Sequence, residues 1–205
     1  MLPKGWADST FLVTVVGGQL AFVPAAPLHE TTDEAWDLMF DLNLRHVARS
    51  VRAGLRVFLA QGRGGTIVSV GAIAGHAGSP MQAAYGAAKA GLASLARPVA
   101  AEYSRDGVRM NLVVCGPIAT PVARAAQTGT SEWIPMGRPG ESREVADAAV
   151  FLASPCRRTS LARVSWSMAA QLRPARSLIQ RGDIRWKRSN CDEAGANLVF
   201  ARAST

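Results

Sequence analysis

Cysteine is scarce and scattered: Cys115, Cys156 and Cys191 are the three in 205 residues. An odd number without metal-ligand spacing excludes a disulfide framework and a zinc site, so no metal is expected, and it fits a reducing, cytoplasmic setting. Long apolar runs are missing too. No segment reaches the roughly 18 consecutive apolar residues that a membrane span needs. The nearest thing to a secretory leader is "FLVTVVGGQLAFVPAA" behind Lys4, but Gly17 and Gly18 interrupt it and it begins with a β-branched run. Internal repeats are absent as well. What remains, 48% apolar and 19% charged residues, is the composition of one soluble globular domain.

The net charge of +8 would invite nucleic acid if it were spread over a surface. It is not. Residues 1–155 hold 13 Lys plus Arg against 12 Asp plus Glu, whereas residues 156–205 hold 10 against 3. The excess sits in "CRRTSLARVSWSMAAQLRPARSLIQRGDIRWKRSNCDEAGANLVFARAST", which sustains no period of 3.6 or 2. Trp166 and Trp186 could serve as stacking platforms, yet the basic residues around them show no helical or strand-like grouping, and no nucleic-acid partner is expected.

The first 155 residues alternate strand and helix signals, which argues for an α/β domain with a parallel sheet. "FLVTVV" (11–16), "TIVSVGA" (66–72) and "RMNLVVC" (109–115) read as buried strands. Between the first two, Thr32 can cap a long amphipathic helix. Asp33 and Glu34 suit its first turn, and Trp36, Phe40, Val47, Val51, Leu55 and Phe58 recur at helical spacing. A second helix is predicted over 81–103, its last turns disturbed by Pro98. A third, "SREVADAAVFLAS" (142–154), opens on Ser142.

"AAYGAAKAG" (83–91) puts Tyr85 and Lys89 one helical turn apart on the same face. A phenol titrates near pH 10 unperturbed, so proton transfer at neutral pH needs a neighbouring cation, and Lys89 can supply it. With "DLNLRHV" (41–47), "IVSVGAIAG" (67–75), "YGAAKAGLASLA" (85–96), "RMNLVVCGPIATP" (109–121) and "IPMGRPGESREVADAAVFLAS" (134–154) in this order, the chain resembles the short-chain dehydrogenase/reductase family over roughly residues 11–155. The resemblance implies hydride transfer between NAD or NADP and a small-molecule carbonyl or alcohol. It implies that Tyr85 exchanges the proton with the substrate oxygen, that Lys89 also holds the nicotinamide ribose, and that Asn43 supports the proton relay. Gly116, Pro117, Ile118 and Thr120 would cover the nicotinamide. Loops 73–84 and 117–133, with His76, Met81, Gln82 and Trp133, would line the substrate pocket, His76 as a surface residue.

The chain also departs from the family's pattern. Ala72 stands at the position of the serine that steadies the substrate oxygen, and Ser69, three residues earlier, faces the other way on an alternating strand. Losing one such donor typically costs about 100- to 1000-fold in rate. No glycine-rich turn precedes Phe11, so the cradle for the cofactor's pyrophosphate is missing. Thr14 lacks an amide that would brace its strand, and Cys115 stands where proline is usual.

The tail can be read in another frame. Trp166 and Met168 have single codons, and shifting the frame from Arg158 permits Tyr-Val-Thr-Gly-Ala-Gly-Leu-Val-Val-Asp-Gly-Gly, the pattern of the family's last strand. This predicts a frameshift near Pro155 to Arg158.

The expected architecture is the C-terminal half of a Rossmann-like doubly wound parallel sheet, about three strands with flanking helices, over residues 1–155. A basic tail, disordered or out of frame, follows over 156–205. The expected function is NAD(P)-dependent oxidoreduction, impaired or lost in a truncated, pseudogene-like chain. The alternative is a non-catalytic remnant that pairs with an intact relative. Homo-oligomers would form through the two long helices.

Overall fold

In the computed structural model, the described residues are 10–16, 25–121, 134 and 136–154, with the backbone of 164–166, 184–188 and 199–203. Strands β1 (Phe11–Thr14), β2 (Gly65–Ala72), β3 (Val108–Cys115) and β4 (Val164–Trp166) form one parallel sheet in the order β1-β2-β3-β4. Its register pairs Phe11 with Thr66, Ala72 with Cys115, and Leu112 with Val164. Phe11–Thr14 is thus a strand of this sheet, as its apolar, β-branched residues predict.

All eight residues of β3 are buried, which is why its sequence is a near-continuous apolar run with no alternation. The fourth strand arises from a segment with no strand period. Parallel pairing uses main-chain groups, and the open edge of β3 accepts three residues of almost any sequence. Strands β5 (Ile184–Arg188) and β6 (Val199–Ala203) pair antiparallel in a separate two-stranded sheet. The boundary at residue 155 falls outside the described residues, as do Gly17, Gly18, Trp133, Cys156, Cys191 and the side chains of Trp166 and Trp186.

Helix α1 (Asp33–Phe40) is capped by the Thr32 side chain, which accepts from the Ala35 amide at 3.2 Å. A π-helical turn, Asp41–Arg45, follows, and then α2 (His46–Gln61). The single long helix of the sequence pattern is thus interrupted where Asn43 lies. Helix α3 (Ala83–Tyr103) runs unbroken through Pro98, contrary to the expected disturbance. Pro98 and Ser94 both face solvent, so the carbonyl deprived of its donor stays open to water and the helix does not have to break. Helix α4 is Ser142–Ala153.

The two faces of the sheet are covered unequally. Val47, Val51, Leu55 and Phe58 of α2 and Leu92, Ala93, Ala96 and Val99 of α3 close over Ile67, Met110, Leu112 and Val114. On the other face, Ala149, Leu152 and Ala153 of α4 cover Val68, Val113 and Cys115. That cover stops short of the edge strand, where Phe11, Val13 and Val15 are exposed.

Candidate active site

Close contact between small residues places the candidate site where β2 and β3 end. The chain leaves β2 at Ala72 and turns back against α3 through Ile73–Gly75. A Cβ on Gly75 would lie 2.6 Å from the Ala90 nitrogen, and one on Gly91 would lie 2.7 Å from Leu44 Cδ2. At Gly75 the clash would be with backbone, so only glycine lets the turn after β2 approach α3; at Gly91 the neighbour is the end of the Leu44 side chain, which packs into the space the missing Cβ leaves. The small residues of "AAYGAAKAG" therefore do two jobs: they form the helix and they admit both neighbours.

Tyr85 and Lys89 occupy the first two turns of α3, and both are buried. Tyr85 packs with Met39 and Ala84, and with Ala72 at the end of β2. Lys89 is 1% exposed; its Nζ lies 5.6 Å from the centroid of the Tyr85 ring and donates to the Val16 carbonyl at 3.5 Å. Asn43 is fully buried in the π turn, its Nδ2 donating to the Met39 carbonyl at 3.1 Å. Such turns recur at functional sites because they redirect one side chain without ending a helix.

The electrostatics differ from the expectation that Lys89 draws the phenol toward neutral pH. Burial, with a smaller contribution from the Cys115 thiol, pushes the Tyr85 phenol well above its ordinary range. Burial likewise pulls the Lys89 ammonium down to about 8, against a smaller opposing effect of Cys115. The ammonium sits over the ring face, and desolvation of both groups outweighs their attraction. Cys115, in register with Ala72, has its own thiol pushed up to about 11 by burial.

Beyond Cys115, Gly116, Pro117, Ile118 and Thr120 continue the line of β3 and are half-buried. Gly140, in the lead-in to α4, holds them: its amide donates to the Pro117 carbonyl at 2.9 Å and its carbonyl accepts from Ala119 at 2.7 Å. Of the pocket-loop residues, His76 is exposed, Gln82 accepts from the Ser79 hydroxyl at 2.9 Å, and Met81 takes a left-handed backbone conformation just before α3.

Three features escape sequence reasoning. Thr14 Oγ1 donates to Ser69 Oγ at 2.8 Å, so a hydroxyl braces β1 against β2 where the missing amide predicted a loss. Ser69 is thereby engaged inside the sheet. The π turn has no separate sequence signal within the helical pattern. Arg109 is buried at the start of β3 and donates to the carbonyls of Leu152, Ala153 and Ser154 at 3.1–3.4 Å and to the Thr66 hydroxyl at 2.7 Å. It closes the C-terminal end of α4, where carbonyls lack helical partners. A charged residue inside a strand that is otherwise uncharged and mostly apolar was the available signal.

A family model described as enoyl-(acyl carrier protein) reductase matches residues 6–160. Cis-4-hydroxycyclohexanecarboxylate dehydrogenase of Sinomonas cyclohexanicum is 38% identical over 135 residues, 64% of this chain and 54% of that protein. The 3-oxoacyl-(acyl-carrier-protein) reductase FabG of Vibrio cholerae is 38% identical over 127 residues, 60% of this chain and 52% of that one. Among solved structures, an oxidoreductase of the short chain dehydrogenase/reductase family from Burkholderia thailandensis superposes with a TM-score of 0.69 at 35% identity, covering 83% of this chain and 69% of that chain. Acetoin dehydrogenase from Enterobacter cloacae superposes with a TM-score of 0.68 at 26% identity, covering 77% and 62%. The chain spans about half the length of the curated relatives it matches. No helix among the described residues is long and apolar enough to cross a membrane.

Proposed function

This chain belongs to the short-chain dehydrogenase/reductase family, and on that premise we propose that it carries the proton-transfer half of an NAD(P)-dependent oxidoreductase acting on a small-molecule carbonyl or alcohol. The observation that carries the reading is Lys89, a fully buried cation one turn after Tyr85 with its Nζ over the phenol ring. Burying an ammonium is expensive, and a helix that merely packs would place an apolar residue there.

The residues present fit one end of a nicotinamide cofactor. An ammonium can donate three hydrogen bonds, and among the described residues Lys89 makes a single one, at 3.5 Å, leaving capacity for ribose hydroxyls. Gly116, Pro117, Ile118 and Thr120 would flank the nicotinamide. No glycine-rich phosphate turn lies among the described residues. The chemistry that such a cofactor supplies when bound is a hydride.

The chain's own residues handle the proton. With its phenol pushed up, Tyr85 is protonated at neutral pH and serves as an acid: its Oη–H bond breaks and the proton passes to the carbonyl oxygen as the carbon is reduced. The resulting phenolate faces the Lys89 ammonium. Asn43, in the turn that packs on α3, supports proton return. Ala72 offers no hydroxyl to the developing alkoxide, so turnover is slow. Homo-oligomers through helices 33–61 and 83–103 belong to the same reading. Ala72 also favours a second one, a chain that no longer turns over and only associates with a relative.

The test is a titration of the full chain with NADH and NADPH, followed by ketone reduction by wild type and Tyr85→Phe. Saturable binding with a loss of about 100-fold or more in the variant supports the first reading. Equal rates for the two proteins overturn it, and absent binding favours the second.

A further inference from the structure

The start of α1 and the turn before α3 enclose an open cleft of about 260 Å³ beside the candidate site. Thr31, Ala35 and Met39 line it from α1 and the turn before it, Met81 and Gln82 from the turn before α3, and Tyr85 forms part of its wall. The space falls short of the roughly 300–1,000 Å³ that takes a drug-sized ligand, so it suits a small one.

The lining asks for no charged guest. Among the described residues, none of those around the cleft is charged, and its polar groups are engaged: the Thr31 hydroxyl donates to the Pro27 carbonyl at 3.1 Å, and Gln82 Oε1 accepts from the Ser79 hydroxyl at 2.9 Å. Alanine and methionine supply most of the rest. Met39 is buried, whereas Met81 is half-exposed and takes a φ of 64°, which glycine would adopt more easily. The turn is held there, with the Met81 carbonyl accepting from the Ala26 amide at 3.1 Å and the Gln82 amide donating to the Ser79 carbonyl at 3.3 Å. A flexible thioether is thus kept beside Tyr85 against the local backbone preference.

The surroundings carry one sign. Residues 25–44 hold five acids, Glu30, Asp33, Glu34, Asp37 and Asp41, and no Lys or Arg, while residues 73–88 hold no Asp, Glu, Lys or Arg at all. All five acids are exposed, and Glu30 and Glu34 directly precede the lining residues Thr31 and Ala35. His29 pairs with Glu30 at 3.5 Å. A helix start ordinarily attracts anions through its free amides. Here donors of that kind are engaged from within: the Ala35 amide donates to Thr32 Oγ1 at 3.2 Å, and bonds from its own amide and from Thr32 hold the Glu34 carboxyl below its usual range.

We infer that the cleft seats the apolar arm of an uncharged ketone or alcohol whose oxygen meets Tyr85, and that the acidic rim turns carboxylates and phosphates away. Enclosing an anion among apolar groups is costly in itself, and the rim adds repulsion that acts over about 8 Å at physiological salt. Lys89 does not line the cleft and so does not pair with an anion there. The inference rests on the hydride-transfer reading and narrows it to neutral substrates.

The experiment is an NMR titration of the full chain, isotope-labelled at its methionine methyl groups, with butyl methyl ketone and with levulinate, which ends a similar ketone chain in a carboxylate. Met39→Leu and Met81→Leu assign the two signals. The expected result is a saturable shift of both by the ketone, with Met110 in the core unmoved, and at least about tenfold weaker binding of levulinate. Salt at about 1 M should narrow that gap, and a variant carrying Glu30→Gln and Glu34→Gln should close most of it by raising levulinate affinity. No saturable shift at the two methionines, equal affinity for the two probes, or a gap that neither salt nor the variant narrows overturns the inference. Cofactor and turnover play no part in this readout. Ketone that binds here and is not reduced would sink the hydride-transfer reading alone, and a chain that reduces ketones but binds both probes equally would sink the inference alone.

Discussion

Among the described residues, two cations, Arg109 and Lys89, are buried at opposite ends of the sheet, and they are treated in opposite ways. Arg109, where β3 begins, reaches four acceptors: the last carbonyls of α4 and the Thr66 hydroxyl. Lys89, beside the C-terminal end of the same strand, has one long bond to a carbonyl and an aromatic ring. Burial lowers the pKa of both, but only Lys89 is left with most of its donor capacity open. A buried charge that reaches several acceptors holds a structure together. One with most of its donors unmet is kept at the expense of stability, which is what supports the proposed role of Lys89.

Lys89→Met sharpens the contrast most. The variant should lose carbonyl reduction by roughly 1000-fold while gaining about 2 kcal/mol of stability at pH 7, read from parallel rate and denaturation measurements. The sign follows from the titration. In the native state Lys89 sits at about 8, below its unfolded value near 10.4. Below pH 8 both states are protonated and the full burial penalty acts. Between the two values the unfolded chain binds more protons, so wild-type stability from this group rises with pH. The variant's margin should therefore be widest below pH 8 and close toward pH 10.5. A constant margin would mean that Lys89 is not a strained cation.

Arg109→Met should do the reverse, removing about 3 kcal/mol by leaving the α4 carbonyls and the Thr66 hydroxyl buried without their donor. A loss under about 1 kcal/mol in urea denaturation would break the comparison. The smallest expected effect is that of Ala72→Ser. Restoring a hydroxyl beside Tyr85 should raise the reduction rate about tenfold with stability unchanged, and an unchanged rate would show that the substrate oxygen does not sit there.

Much of this was legible beforehand because it rests on local rules. The strands at 11–14, 65–72 and 108–115 are runs of β-branched residues, and Thr32 caps where a threonine before two acids should. Tyr85 and Lys89 share a face because four residues make about one turn. Other features depend on partners distant in sequence. Thr14 meets Ser69 only because β1 and β2 pair in that register, and Arg109 finds its acceptors only where α4 ends over the sheet. Strand β4 follows from an open edge and not from its own residues.

From residue order came the periodicity of helices and strands, the Tyr85–Lys89 spacing and, through the family resemblance, the alanine in place of serine at 72. These are properties of neighbours within a turn or two. Tertiary structure decided the protonation of the site. Enclosing Tyr85 and Lys89 removes the water that would solvate either charge, so burial sends the phenol up and the ammonium down, and no spacing could have foretold which influence would prevail.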